Sequence, residues 1–86
     1  MPKSVSWHAW HPMASEMTGE GVLEWRDDEG RLHRDDAPAR VFPSGREEWY
    51  RHGKRHRDPE EGPAASYPDG RRIWFVDGVR VKSDRV

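Results

Sequence analysis

Cysteine is absent from this 86-residue sequence. No disulfide framework and no thiol chemistry is therefore available, and a reducing compartment is the natural setting. Long uninterrupted segments are missing as well. The longest run free of proline and glycine spans nine residues, Lys3 to His11, and every other such run is eight or fewer. An ordinary helix takes about 11 residues and tolerates neither breaker inside it, so helices are excluded almost everywhere. No apolar run approaches membrane-spanning length, and MPKSVSWHAWHP lacks the apolar core of a signal peptide. A cytoplasmic protein with no membrane partner is expected. Charge of a single sign is missing too: 15 basic and 16 acidic residues interleave to a net charge of −1. That balance argues against a polybasic nucleic-acid binder and against an acidic mimic of one.

What is present is aromatic. Apolar residues make up only 33% and charged residues 36%, a balance that on its own would point to disorder. Five Trp, two Tyr and two Phe supply the counterweight, because aromatic side chains bury the most surface per residue. A chain this short forms one domain and hides about 60% of its unfolded surface. Among the basic residues 12 are Arg and 3 are Lys. Arg suits stacking on aromatic faces and bidentate pairing with carboxylates, although a GC-rich genome enriches Arg equally well.

The aromatics recur. ARVFPSGREEWYRHGKRHR, from Ala39 to Arg57, is echoed by AASYPDGRRIWFVDGVRV, from Ala64 to Val81. Phe42 aligns with Tyr67, Pro43 with Pro68, Gly45 with Gly70, Trp49 with Trp74, Tyr50 with Phe75 and Gly53 with Gly78, each offset by 25. A fixed period of this size signals one supersecondary unit stacked on copies of itself. Each unit reads as short strands joined by tight reversals, with glycine supplying positive φ. A first, weaker copy holds Trp25 and Gly30. The fold expected is all-β, an antiparallel meander of repeated short hairpins. Residues 1–19 form an irregular N-terminal cap with a helical turn around Ala14 to Met17, residues 20–81 form three hairpin units, and residues 82–86 form a frayed polar tail.

Side-chain alternation places Trp49 on one face and Glu48 and Tyr50 on the other; Trp74 likewise opposes Ile73 and Phe75. Trp25, Phe42, Trp49, Tyr67 and Trp74 are therefore the expected core. Tyr50, Arg51, Arg55, Arg72 and Phe75 are the expected partner-binding residues, and Tyr50→Ala is expected to leave melting nearly unchanged.

The run Trp49-Tyr50-Arg51-His52-Gly53-Lys54-Arg55-His56-Arg57, then Gly62-Pro63-Ala64 and Tyr67-Pro68-Asp69-Gly70, resembles the variant MORN-type repeats of bacterial and phage proteins. Those carry W-Y-x-x-G-x-x-H-R, D-G-P-A and Y-x-D-G at a period in the low twenties. The resemblance spans Gly21 to Val81. Ala37 departs from it where Gly62 conforms, Ser44 where Asp69 conforms, and Val81 stands in place of the His. The resemblance implies hairpins laid side by side and binding rather than catalysis, with some relatives similar to proposed antitoxins.

Catalytic chemistry finds little support. None of the six serines sits in a G-x-S-x-G elbow, and no phosphate-cradling loop opens a helix. Asp27-Asp28-Glu29, Asp35-Asp36, Glu47-Glu48 and Glu60-Glu61 read as solvated turn or strand charge rather than as the opposed acid and base of a hydrolase. A shallow meander is expected to offer little concavity. His8-x-x-His11 and His52-x-x-x-His56 have chelating spacings, but no third ligand is spaced to complete either, so no metal and no cofactor is expected. His33 and His56 are repeat equivalents, which argues for a structural task, a ring beside Trp with one nitrogen bonded to the loop backbone. Asp35 and Asp58 follow His-Arg and suit loop capping. The expected role is a small non-enzymatic module that binds and inhibits or sequesters another protein. A nucleic-acid binder using its Arg and aromatics, and a self-associating structural protein, are the alternatives.

Overall fold

The computed structural model describes residues 16–85. Among them lie nine strands and no helix: β1 (Glu16–Met17), β2 (Leu23–Glu24), β3 (Arg40–Val41), β4 (Glu47–Glu48), β5 (Tyr50–Arg51), β6 (Lys54–Arg55), β7 (Ala65–Ser66), β8 (Arg71–Val76) and β9 (Val79–Arg85). Seven form one antiparallel sheet in the order β1-β2-β3-β4-β7-β8-β9, and β5 pairs with β6 alone. The expected all-β meander is what the chain forms. A proline or glycine lies two residues past the end of β1, β3, β5 and β7, which helps keep these strands two residues long.

The hairpins are tied by the same backbone hydrogen bonds twice over. Trp25 N–H donates to Ala39 C=O at 2.9 Å and Trp49 N–H to Ala64 C=O at 2.6 Å. His33 donates to Trp25 and His56 to Trp49, at 2.9 and 3.1 Å. Arg34 donates to Tyr50 and Arg57 to Phe75, both at 3.2 Å. Gly53 donates to Leu32 and Gly78 to Arg55, both at 2.8 Å. Each hairpin therefore finds its backbone partners on the next one, which is how strands too short to stand alone persist.

Turn chemistry follows the sequence. Gly53 and Gly78 take φ of 87° and 85°, and the residues before them, His52 and Asp77, take 48° and 50°. Positive φ at both central positions is the type I′ pattern that matches strand twist. Asp-Gly is a favoured pair there, and His, with Asn and Asp, is among the non-Gly residues enriched at left-handed positions. Each turn is capped from the hairpin before it: His33 Nδ1 accepts from His52 N–H and His56 Nδ1 from Asp77 N–H, both at 3.0 Å. The nitrogen-to-loop bond expected of these histidines is present.

The other reversals use side-chain caps. Asp69 Oδ1 accepts from Arg71 N–H at 3.0 Å, and Ser44 Oγ takes the equivalent bond from Arg46 N–H at 3.4 Å. The Arg71 backbone N–H, aided by its guanidinium, holds the Asp69 carboxyl below its ordinary value of 3.8. A depressed carboxyl stabilises the fold above its unfolded pKa and loses that contribution as pH falls below it. Asp69→Asn is thus expected to lower Tm at neutral pH, with the gap to the parent closing below about pH 4 in an acid titration.

The interior differs from the expected aromatic core. Fully or nearly buried apolar residues are Val22, Ala39, Ala64, Ala65 and Trp74, and the largest side chain with no exposure at all is Glu48. Trp25, Phe42, Trp49 and Tyr67 are half-buried. Their faces are closed by guanidinium groups instead of by hydrocarbon. Arg34 lies 3.9 Å over Trp25, Arg57 lies 3.8 Å over Trp49, and Arg46 sits 4.7 Å from Phe42 and 4.8 Å from Tyr67. Stacked Arg excludes water from the ring while keeping its own edge wet, which lets a charged chain cover aromatics.

Two boundary expectations also change. Lys82 to Arg85 is strand rather than frayed tail, because β9 pairs with β8 through Trp74↔Lys82, Ile73↔Ser83 and Arg72↔Asp84. Arg72 anchors it with a bidentate pair to Asp84 at 2.8 and 3.0 Å. Of the helical turn expected over 14–17, Glu16 and Met17 are strand paired with β2, and the remainder of the cap, with Trp7, Trp10, His8 and His11, lies outside the described residues. Among the described residues no helix is long and apolar enough to cross a membrane.

Candidate binding surface

The face expected to contact a partner is built around a buried carboxylate. Glu48, read from sequence as solvated charge, is fully buried on β4. Its Oε1 accepts from Arg40 at 3.3 Å and from the Tyr50 hydroxyl at 3.2 Å. Its Oε2 accepts from Arg46 and, at 3.3 Å, from Arg55. Glu24, the equivalent residue one hairpin earlier, is also buried and pairs with Arg26 at 2.7 Å and Arg40 at 3.1 Å. Burial of a carboxylate is tolerable when its lone pairs are filled by charged donors in this way. Alternation did place Glu48 and Tyr50 on one face; what it missed is that Arg40 of β3, Arg46 just before β4 and Arg55 of β6 converge there. Asp28, Glu29, Asp35, Asp36, Glu47, Glu60 and Glu61 are exposed, as expected of solvated charge, whereas Asp27 is half-buried. Asp58 Oδ1 caps Glu60 N–H at 3.0 Å, while Asp35 instead meets His33 Nε2 at 3.1 Å.

This network engages several of the proposed contact residues. Arg55 Nε donates to the Tyr50 hydroxyl at 3.1 Å, and the Arg55 guanidinium lies 5.3 Å from the Phe75 ring centroid. Tyr50, Arg55, Phe75 and Arg72 are half-buried, and Arg51 is exposed. The hydroxyl of Tyr50 therefore carries fold stability, and the expectation that Tyr50→Ala is thermally silent is revised. Losing its two hydrogen bonds to charged groups should cost about 1–3 kcal/mol, with Tyr50→Phe keeping the ring contact and recovering part; urea unfolding measures both.

Beside this face the sheet ends. β9 stands last in the strand order, and six of its seven residues are exposed. Val79 is 64% and Val81 55% exposed, alternating with Arg80 and Lys82. The register shifts between Trp74 and Phe75, whose partners are Lys82 and Arg80, so Val81 is the extra residue of a bulge. A groove of about 860 Å³ opens between Trp49, Arg34, Arg57 and the loop carrying Asp58, Pro59 and Glu61, more concavity than a meander was expected to have. Its walls mix both signs of charge, with Arg51 among the cations and Asp35 and Asp36 among the anions.

A second polar cluster joins residues that sequence spacing did not connect. Asp27 Oδ1 accepts from the backbone N–H groups of Glu29 and Arg31 at 2.9 and 3.0 Å. Its Oδ2 meets His52 Nδ1 at 2.9 Å and Arg31 Nε at 3.0 Å. The bond from His52, then those from Arg31 and Glu29, hold the Asp27 carboxyl far below the usual range. The His33 and His52 rings stack 4.1 Å apart with 22° between their planes. His52 thus meets His33 and Asp27 rather than His56, because the type I′ turn projects it across the seam between hairpins.

Set against protein-family models, curated proteins and solved structures, the chain matches none of them.

Proposed function

We propose that this chain is a non-enzymatic protein-binding module of the cytoplasm, a small accessory protein of the bacterial or phage kind that binds and inhibits or sequesters another protein in an anti-defence, antitoxin or immunity role. The fold half of this reading rests on the resemblance to variant MORN-type repeats. The binding half rests on one observation: among the described residues the sheet terminates in a seven-residue strand, β9, in which two exposed valines alternate with Arg80 and Lys82. An unpaired strand edge offers a row of backbone donors and acceptors to an extended partner segment, and alternate side chains give selectivity. Arg51, with the stacked Arg55 and Phe75 beside the β8–β9 hairpin, extends the contact; Tyr50 and Arg72 hold that surface rigid, through Glu48 and Asp84 respectively.

Site-specific photo-crosslinking tests the reading. A crosslinker at Val79 or Val81 is expected to give one discrete protein adduct in cells of the source. The same group at Ser44, in an exposed turn, gives none. Adducts that are equal at all three positions, or that vanish on nuclease treatment, overturn it; the latter result would favour the nucleic-acid alternative.

A further inference from the structure

We propose that Asp27, His33 and His52 form a binding site for a divalent transition metal of the zinc class, at the seam between the first and second hairpins. Their candidate ligand atoms all lie within 4.8 Å of one another, and no other such group occurs among the described residues. Two imidazoles and one carboxylate are ligands that zinc, cobalt and nickel accept, and three protein ligands leave a position for water or for a donor from a partner.

The seam is prepared for this in three ways. Asp27 is oriented by two backbone N–H groups at Oδ1, which leaves Oδ2 directed at His52. Outer bonds of this kind fix ligand geometry in metal sites generally. His52 occupies a left-handed position, φ 48°, that Asn, Asp or Gly fill at lower cost, and the equivalent turn does use Asp77. A non-glycine residue held at positive φ that lands against two other ligands is a functional signal. Third, the next seam supplies an internal comparison. His56 and Asp77 repeat part of the arrangement at 3.5 Å, but Arg51 stands two residues after Trp49 where Asp27 stands two after Trp25. One His and one Asp there make no three-ligand group.

Binding requires modest closure. Tetrahedral zinc with bonds of about 2.0–2.1 Å brings ligand atoms about 3.3 Å apart. Asp27 Oδ2 and His52 Nδ1 are already at 2.9 Å, so the metal takes the place of the proton between them, and a rotation of His33 that releases either Asp35 from Nε2 or the His52 N–H from Nδ1 brings one of its nitrogens in. Arg31 must withdraw from Oδ2. Its side chain is 46% exposed and Glu29 Oε1 lies 3.3 Å from it, so it has another carboxylate to face.

Calorimetric titration of the full chain with zinc chloride tests the site, with cobalt absorption reporting the ligand set. The expected result is one zinc per chain, reversed by chelator. It should persist in the His8→Ala/His11→Ala double variant and weaken at least about tenfold in His52→Asn. Asn tolerates the left-handed turn, so His52→Asn should stay folded without metal, with no more than a modest fall in Tm from the lost contacts to Asp27 and His33. Asp27→Ser, which keeps a turn-capping oxygen and removes the carboxylate, gives the same loss of affinity. Equal affinity in His52→Asn and the parent, loss of binding in the His8→Ala/His11→Ala variant alone, or no zinc uptake by the parent overturns the proposal.

Discussion

Glu48→Ala is expected to unfold the protein or come close to it. The substitution leaves Arg46 and Arg55 facing a buried space without their carboxylate and Arg40 with Glu24 alone, after the parent held all three on one fully buried carboxylate. Removing one partner from a buried ionic cluster typically costs about 3–5 kcal/mol. A domain of this size has only about 5 kcal/mol to lose. The third hairpin shows the remedy, for it carries Ile73 where Glu48 stands and Ala65 where Arg40 stands. Glu48→Ile combined with Arg40→Ala should therefore recover part of the loss, and the coupling between the two changes should be favourable in a urea double-mutant cycle.

Trp74→Ala is expected to be the most damaging aromatic truncation. Trp74 is the one Trp among the described residues that is buried, at 8% exposure, and it sits in the middle of the longest strand pair. Arg72 covers it at 5.4 Å and Lys82 at 4.5 Å, so its removal also strips two cations of their stacking partner. A loss of about 3–5 kcal/mol follows from buried aromatic truncations in general. Trp49→Ala, half-buried under Arg57 alone, should lie at the lower end of that range or below it. Equal melting of the two variants in a thermal scan would contradict the burial order.

Much of this architecture was legible in the residues. Breaker spacing excluded helix, and the 25-residue offset of Phe42, Trp49 and Gly53 located the strands and turns. Alternation put Glu48 and Tyr50 on the same side. What it could not supply was depth. Whether Glu48 meets water or three guanidinium groups depends on Arg40 of β3 and Arg55 of β6 arriving to join Arg46, and charge content alone favours water. The same holds for the aromatic ladder: Phe42 and Tyr67 read as core by period, yet Arg46 lies between them. Polar composition hid the strand character of Lys82 to Arg85, which the Arg72–Asp84 pair reveals. The Asp27, His33 and His52 cluster depends on a left-handed turn that no spacing rule anticipates for histidine.

The central claim is that successive hairpins repeat one set of backbone bonds across each seam, supported beneath by charge-covered aromatics. Amide hydrogen exchange followed residue by residue tests it most directly. The amides of Trp25, His33, Arg34 and Gly53 at the first seam, and of Trp49, His56, Arg57 and Gly78 at the second, should be protected and should exchange as two matched sets. Protection at one seam only, or exchange of these amides at the rate of the exposed Asp58–Glu61 loop, would contradict the account.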